Sequence, residues 1–245
     1  MKFVKEPNNP INASAVIIAQ NAPDDVTAGL KKFNILPIFG GKINFKVEAV
    51  SNHIDTQITH IGGEKFVVSP HLFDHYNKVL SGAQIIKGES ILTGTYPDDA
   101  AYNVASVGKY IIHNFKYTDK VILSETKKEI IQVSQGYSKC SLCIVDENSV
   151  ITEDAGIARA LERHNIDVLE ISAGDVFLNG LDYGFLGGAS GKLAKNVLGF
   201  VGDITSHRDY RRIRDFCLKR NVEPLSLCDG KLTDIGSIIP VVEKE

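Results

Sequence analysis

The sequence predicts an α/β fold of five similar units, each a β-hairpin followed by a helix and a strand, closed into a five-fold pseudosymmetric ring, or α/β propeller. Two observations lead to this prediction. The order hairpin, helix, strand and glycine recurs along the chain at 38 to 56 residues, measured between Gly40, Gly88, Gly136, Gly174 and Gly230. Such a period is typical of repeated supersecondary units. The chain also ends in an apolar segment without a partner in its own unit.

The elements of each unit follow from apolar runs and the residues that interrupt them. In the first unit a strand at 15–19 precedes a helix that opens on Pro23-Asp-Asp, and a strand at 35–39 ends at two glycines. The second hairpin turns at Gly62-Gly63 and the fourth at Asp146-Glu-Asn-Ser149. The predicted hairpins are 58–68, 103–112, 142–151 and 183–204; the helices are 23–33, 71–80, 118–128, 155–164 and 208–220; the later strands are 84–86, 129–133, 167–171 and 224–227.

The first unit has one strand where the others have a hairpin, and segment 238–242 is a spare apolar strand. We expect this strand to pair with the first unit, because a closed ring leaves no open sheet edge. One domain would then cover residues 1–245. An ordinary α/β domain is the alternative, since strands and helices alternate there as well.

Composition excludes several classes of protein. The net charge of −3 and the absence of a long basic run argue against nucleic-acid binding. No segment has the apolar length of a signal peptide or a membrane span. Four cysteines in 245 residues do not form a disulfide framework, so we expect a reducing, cytoplasmic location.

Three consecutive junctions between units carry a family resemblance. Asn52-His53-Ile54-Asp55-Thr56, with the strand within 64–70, resembles the His-x-Asp-Thr segment of arginine deiminases. Residues 96–103, Tyr-Pro-Asp-Asp-Ala-Ala-Tyr-Asn, resemble a segment of dimethylarginine dimethylaminohydrolases. Residues 136–141, Gly-Tyr-Ser-Lys-Cys-Ser, resemble the Gly-x-x-Thr-Cys segment of those hydrolases. The chain is therefore similar to the pentein superfamily, whose fold is also called the guanidino-group-modifying enzyme fold.

The order of the units differs from that of the family. There the cysteine lies near the C-terminus, whereas here two units follow Cys140, which indicates a circularly permuted branch. A closed ring makes such a permutation inexpensive, because its termini lie close together. A competing alignment would match 174–176 and 187–190 to the family's Gly-Gly-Asp-Val and Gly-Leu-Ser segments, but it accounts for one junction instead of three.

The resemblance implies a site without metal or cofactor that acts on a small cationic guanidine or amidine. Cys140 would attack as a thiolate, and His53 would exchange protons with the leaving amine and with water. Asp55, expected on the same strand face as His53, would bind the cation. A second carboxylate is expected from Asp175 or Asp99. The motifs fix neither the substrate, nor the choice between hydrolase and amidinotransferase, nor the oligomeric state.

Two other functions are compatible with the sequence. Ribosome anti-association factors share the fold and are not guanidine hydrolases, so a binding protein is one alternative. A redox protein that uses Cys140 and Cys143 is the other, although we expect the two thiols to point to opposite faces of one strand. A nucleophilic Cys140 should be at least partly exposed, with a pKa that is low or falls when a cation binds. Cys143 should be buried.

Overall fold

Five small β-sheets and six α-helices make up the part of the chain that the computed structural model describes, residues 2–45 and 48–244. The remaining residues of the predicted domain, Met1, Lys46, Val47 and Glu245, lie outside the described residues. One sheet has four strands and the other four have three each. The mixed α/β class and the number of units therefore agree with the repeat in the sequence.

The strands are numbered in chain order. The four-stranded sheet contains β1 (Lys2–Phe3), β2 (Ala13–Ile18), β3 (Leu36–Phe39) and β16 (Ile239–Glu243). The other sheets are β4 (Ile58–Gly62), β5 (Lys65–Val68) and β6 (Gln84–Lys87); β7 (Ala105–Val107), β8 (Tyr110–His113) and β9 (Glu129–Gln132); β10 (Cys143–Asp146), β11 (Ser149–Thr152) and β12 (Asp167–Glu170); β13 (Ser190–Ala194), β14 (Val197–Phe200) and β15 (Glu223–Ser226). The helices are α1 (Asp24–Lys32), α2 (Phe73–Val79), α3 (Lys120–Glu125), α4 (Ser138–Ser141), α5 (Ala155–Glu162) and α6 (Tyr210–Leu218).

Every three-stranded sheet is built in the same way. Its first two strands form an antiparallel hairpin, and its third strand runs parallel to the second after a helix. A tight turn suffices for the antiparallel pair, whereas the parallel pair requires a crossover that returns the chain to the same end of the sheet. In the β4–β5 hairpin the turn needs Gly62 and Gly63, whose φ values of 131° and 57° disfavour other residues.

Helix α5 shows why these crossovers form where they do. The carboxylate of Asp154 accepts hydrogen bonds from the backbone N–H groups of Gly156 and Ile157, so it caps the helix N-terminus. Ile157 and Leu161, one turn apart, are buried in an apolar cluster with Val150 of β11. The helix therefore packs on the sheet of its own unit.

Strand β16 lies between β1 and β2 and is antiparallel to both. The predicted pairing of the C-terminal strand with the first unit is therefore confirmed. Its buried residues Ile239 and Val241 belong to an apolar cluster that includes Val67 of β5, so the strand also contacts the core of the second unit.

The N-terminal segment, residues 2–12, lies along the hairpin-turn ends of several sheets. The N–H of Gly63 donates to the carbonyl of Val4, and the N–H of Lys195 donates to that of Ile11. The side chain of Asn8 donates to the carbonyl of Ser106 at 3.2 Å and is buried. This segment therefore covers the side of the sheets opposite to the ends that lead into the unit-to-unit connections.

Most predicted elements differ from the observed ones by one or two residues at an end, and two differ by more. The fifth hairpin begins at Ser190 rather than 183, because residues 171–189 form a long connection that reaches into the cavity described below. Helix α3 ends at Glu125 rather than 128, since β9 starts at Glu129 and the chain needs the intervening residues to enter it. Among the described residues, no helix combines the length and the apolar composition needed to cross a membrane.

Removing β16 should prevent folding. A chain that ends at Ser237 leaves β1 and β2 without their shared partner and exposes apolar residues of the core. We expect its cooperative thermal transition, followed by circular dichroism, to disappear. A chain that ends at Glu243 keeps the strand and should retain the transition. A cooperative transition in the shorter chain would contradict this account of the sheet.

Candidate active site

The candidate site is formed by the connections that run from the last strand of one sheet to the first strand of the next. All five connections contribute to it. The residues concerned are His53 and Asp55 before β4, Asp99 and Asn103 before β7, Cys140 before β10, Gly187 before β13, and Asp234 and Ser237 before β16.

Hydrogen bonds join each connection to its neighbours. They run from Asp55 N to Gly236 O (3.3 Å), from Lys139 N to Asn103 O (3.2 Å), from Gly188 N to Cys140 O (2.9 Å) and from Ser237 N to Gly188 O (2.7 Å). The first and second connections are joined through Thr59, the second residue of β4, whose Oγ1 donates to Tyr102 O at 2.7 Å. The side chains that these segments carry are therefore held at fixed separations, as a catalytic site requires.

Cys140 lies in the short helix α4, not at the start of a strand as predicted. Asn103 explains the difference. Its side-chain oxygen accepts hydrogen bonds from the backbone N–H groups of Lys139 (2.7 Å) and Cys140 (3.2 Å), which stabilises a helical turn ahead of β10. The amide nitrogen of Asn103 donates to the Cys140 sulfur at 3.1 Å. One side chain thus positions both the backbone and the thiol.

The thiol of Cys140 donates to Oδ2 of Asp55 at 3.0 Å. Burial, and then the negative charges of Asp55 and Asp234, raise the pKa of this thiol well above its usual value. The residue is only 3 % exposed, so the expectation of a partly exposed thiol is wrong, although Cys140 lines a cavity. The thiol is therefore protonated at neutral pH, and a cation near the carboxylates would favour the thiolate.

Asp55 lies in a turn of 3₁₀ helix that begins just after His53, so the two residues do not share a strand as predicted. Its Oδ2 also accepts a hydrogen bond from Ser237 at 2.7 Å, whereas its Oδ1 is buried and has no hydrogen-bond partner among the described residues. The buried ammonium of Lys139 donates to Ser237 Oγ at 3.0 Å. One oxygen of this buried carboxylate is therefore without a donor among the described residues.

His53 faces a second carboxylate, with Nδ1 3.7 Å from Oδ1 of Asp234. The oxygens of Asp234 accept backbone hydrogen bonds from Gly236 and Phe185, both at 2.9 Å. Burial raises the pKa of Asp234, and the nearby imidazole acts in the opposite direction. Gly236 has a φ of 77°, and a Cβ there would lie 2.4 Å from Cα of His53, so the approach of the two loops requires glycine.

His53, Asp55 and Cys140 are brought together by the fold. One nitrogen, one oxygen and the sulfur of these residues all lie within 4.8 Å of one another. Imidazole, carboxylate and thiolate are also ligands that bind Zn²⁺, so this set of donors is able to hold a metal ion. A metal there would occupy the same atoms that a nucleophilic reaction needs.

His53 and Cys140 line a cavity of about 850 Å³, and the buried Asp55 contacts Cys140 without being one of the lining residues. The other walls of the cavity are rich in tyrosine and carboxylate side chains. The residues that line it are Val50, His53, Thr56, Gly94, Thr95, Tyr96, Asp99, Gln135, Tyr137, Cys140, Leu178, Leu181, Asp182, Tyr183, Phe185 and Asp234. The volume suits a small organic molecule.

The two residues predicted as the second carboxylate differ in position. Asp99 lines the cavity and accepts a hydrogen bond from the Tyr137 hydroxyl at 2.8 Å. Asp175 does not line it, because the backbone N–H of Arg208 (2.8 Å) and its guanidinium (2.7 and 2.9 Å) occupy both carboxylate oxygens. This pairing lowers the pKa of Asp175 to about 2. The carboxylate next to His53 is that of Asp234.

Asp234, Ser237 and Asn103 were not predicted as site residues. The repeat contained a signal for all three, because each lies shortly before the first strand of a unit, as Asp55 and Cys140 do. Residues 234–237 lie in the corresponding position before the spare C-terminal strand, so the repeat indicates them as candidate site residues.

Cys143 is the other half of the predicted redox pair. It is buried in an apolar cluster, as predicted, and burial raises its pKa to about 12. All four cysteines are free thiols, and Cys228 is the only one of them that is partly exposed. Cys143 and Cys140 therefore occupy different environments, one in the core and one at the cavity.

Replacing Asp55 by asparagine should make Cys140 more reactive towards neutral iodoacetamide. The charge of Asp55 raises the pKa of the thiol, so its removal should increase the thiolate fraction at pH 7 by roughly tenfold for each pKa unit. Peptide mapping of alkylation against pH, in a Cys228→Ser background, measures the shift. Asp175→Asn is the control, with an unchanged profile. An alkaline shift in the Asp55 variant would contradict the assigned electrostatics.

Comparison with solved structures shows a shared fold at low sequence identity. The inosamine-phosphate amidinotransferase of Streptomyces griseus is 11% identical with a TM-score of 0.62, and the alignment covers 100% of this chain and 98% of that one. The C. jejuni agmatine deiminase is 11% identical, with a TM-score of 0.58 and coverage of 100% and 97%. A dimethylarginine dimethylaminohydrolase is 9% identical, with a TM-score of 0.50 and coverage of 89% and 92%.

All three structures have the pentein fold, so the resemblance seen in the sequence is confirmed for the fold. No curated protein matches the sequence. A family model described as a family of unknown function, DUF6873, matches residues 17–239. The chain therefore belongs to the DUF6873 family, and its fold is that of the pentein superfamily.

Proposed function

We propose that the protein is a cysteine-dependent enzyme that acts on the guanidine or amidine group of a small, arginine-like cation. One observation carries the proposal: the thiol of Cys140, the imidazole of His53 and the carboxylate of Asp234 line one cavity, and the buried carboxylate of Asp55 accepts a hydrogen bond from that thiol. The similar structures are all named for enzymes that modify guanidino groups, which is consistent with this chemistry.

The proposal includes the architecture that positions these groups, a single domain in which five units close into a ring. Two observations support closure. Strand β16 joins the C-terminal end of the chain to the first unit, and the hydrogen bonds between connections lead from each unit to the next and back to the first. Circular permutation relative to the family stays a prediction.

Asp55 and Asp234 bring two buried carboxylates to the site, and among the described residues no lysine or arginine lines the cavity beside them. A guanidinium bound there would donate to the free oxygen of Asp55 and offset the charges that hold the proton on Cys140. The thiol proton then passes to His53. Binding and activation of the nucleophile are therefore the same event, and the thiol stays unreactive without substrate.

The reaction proceeds in two displacements. The thiolate attacks the central carbon of the guanidinium, a C–S bond forms, and the C–N bond breaks as the amine takes a proton from the His53 imidazolium. His53 then removes a proton from water, which attacks the same carbon and breaks the C–S bond. The products are a urea derivative and regenerated Cys140. In an amidinotransferase an amine replaces water in the second step.

A binding protein on the same fold would not need this convergence. A hydrolase needs an enclosed site with a cysteine, a histidine and at least two carboxylates, whereas a binding module can leave its centre filled. The cavity at Cys140, with Asp99 and Asp234 in its walls, supports the enzyme. Product analysis with water alone and with an added primary amine separates hydrolysis from amidino transfer.

A cationic alkylating reagent should modify Cys140 faster than a neutral one does. In 2-chloroacetamidine the amidinium can bind at Asp55 and Asp234 beside the thiol. The rate of each reagent with Cys140 is divided by the rate of the same reagent with a small free thiol. We expect this ratio to be at least tenfold larger for 2-chloroacetamidine than for neutral iodoacetamide. Mass spectrometry of peptides measures both rates.

Cys228 provides an internal comparison, because this partly exposed thiol lies outside the cavity but also has the carboxylates of Asp25 and Asp229 near it. Its preference for the cation should be smaller than that of Cys140 and should be the same in the parent protein and in Asp55→Asn. Asp55→Asn should abolish the preference at Cys140. Equal relative rates at Cys140 for the two reagents would remove the guanidine-site assignment and favour the binding protein.

A further inference from the structure

Lys139 is a buried charged residue that the proposed reaction does not use. It directly precedes Cys140 in helix α4, and only 6 % of the residue is exposed. In the family segment that these residues resemble, threonine precedes the cysteine, so the resemblance assigns no role to this lysine. Lysine is almost never buried without a partner, because removing its ammonium from water is costly. The contacts of the ammonium therefore indicate what the residue does.

Three hydrogen bonds connect this ammonium to the thiol of Cys140. Nζ of Lys139 donates to Oγ of Ser237 at 3.0 Å, and the Ser237 hydroxyl donates to Oδ2 of Asp55 at 2.7 Å. The thiol of Cys140 donates to the same Oδ2 at 3.0 Å. Two adjacent side chains therefore meet at one carboxylate oxygen, Cys140 directly and Lys139 through Ser237.

Ser237 has a backbone conformation that serine rarely adopts. Its φ is 77°, in the left-handed region that favours glycine, and the residue is fully buried. Its hydroxyl is also 3.1 Å from the carbonyl of Gly187, but the oxygen of Asp55 is nearer and charged, which makes it the stronger acceptor. Residues held in such conformations cluster at functional sites. The strain therefore points to a need for the hydroxyl at this position.

The surroundings of Lys139 fix the position of its ammonium. Its backbone N–H donates to the side chain of Asn103 at 2.7 Å, and its side chain borders a void of only about 10 Å³. Burial lowers the pKa of Lys139, whereas negative charge on Asp55 or on Cys140 raises it. This attraction is mutual, so the ammonium stabilises negative charge on the carboxylate and on the sulfur.

We propose that Lys139 and Ser237 are positioning residues of the active site: they form a relay that stabilises the charge of Asp55 and favours ionisation of the Cys140 thiol. The Lys139–Ser237 relay is a permanent part of the chain, whereas a substrate cation acts only while it is bound. The relay has a part in the reaction only if the proposed function holds, and in that respect it rests on that function. Its effect on the thiol can be measured with a neutral reagent.

Alkylation of Cys140 by neutral iodoacetamide tests the relay. Lys139→Met removes the ammonium and keeps an unbranched side chain, so the thiolate loses a nearby positive charge. We expect alkylation at pH 8 to be about tenfold slower, which corresponds to one pKa unit of the thiol, and the rate profile to move to higher pH. The shift is opposite in direction to that expected for Asp55→Asn. Peptide mapping by mass spectrometry measures the rates against pH.

Ser237→Gly tests the hydroxyl separately. Glycine suits the φ of 77°, so this variant removes the donor to Asp55 without adding backbone strain, and it leaves the ammonium of Lys139 in the chain. The carboxylate then attracts the thiol proton more strongly. We expect alkylation of Cys140 at pH 8 to be about fivefold slower than in the parent protein, the size of one ordinary hydrogen bond.

Lys192→Met is the matched control for the loss of a buried lysine. Lys192 is 1 % exposed and lies in β13, and its ammonium donates to the carbonyl of Lys195 in the hairpin turn at 2.6 Å. We expect its rate profile at Cys140 to equal that of the parent protein. Thermal denaturation of each variant, followed by circular dichroism at the pH of alkylation, shows that the variant is folded.

The outcomes separate the relay from the proposed function. If Lys139→Met and Lys192→Met give the same profile, the relay is overturned, and the guanidine site stands as long as 2-chloroacetamidine keeps its preference for Cys140. If Lys139→Met slows alkylation and Ser237→Gly does not, the lysine acts by its charge alone and the relay is again overturned.

Slower alkylation in both relay variants supports the inference. If this result is obtained while the parent protein shows no preference for 2-chloroacetamidine, the proposed function fails and the effect of the relay on the thiol stands. If Lys139→Met does not fold, the comparison of Ser237→Gly with the parent protein and with Lys192→Met decides the result.

Discussion

The pairing of β16 with β2 is the constraint on which the site depends. Asp234 and Ser237 lie just before β16, and Ser237 is 182 residues along the chain from Asp55. The pairing of β16 with β2 brings these segments together. The 2.7 Å hydrogen bond from Ser237 to Asp55 and the approach of Gly236 to His53 follow from it. A site shared between distant segments forms only when the chain is fully folded, so no isolated unit of this protein can carry it.

Charge balance explains how the centre remains stable without a ligand. The protonated thiol donates to Asp55, the ammonium of Lys139 donates to Ser237 beside it, and backbone N–H groups satisfy the oxygens of Asp234. Buried carboxylates are tolerated only with such partners. Burial lowers the pKa of Lys139 while the neighbouring Asp55 raises it. A proton on the sulfur thus lies beside Asp55, where the proposed function places the cation.

Much of this arrangement was predictable, and what was not has a physical reason. Hairpin, helix and strand recur because each unit buries one apolar face, so the five sheets and the position of β16 follow from the pattern. His53, Asp55 and Cys140 were predicted because their short motifs are local. Asp234 lies in no motif, and its role arises from a contact across the chain. Asp175 has an equally suggestive sequence context, but Arg208 occupies its oxygens. Helix α4 depends on Asn103, a residue of another unit.

The N-terminal segment has a kinetic consequence. It lies across the hairpin-turn ends, and a void of about 10 Å³ lies in the interior beside Asn8 and Lys139. A single water molecule needs roughly that volume, so nothing larger can pass through the interior there. In an amidinotransferase, one form of the proposed activity, donor and acceptor would then both enter through the cavity that Cys140 lines. The departing amine would have to leave by the same route before the acceptor binds.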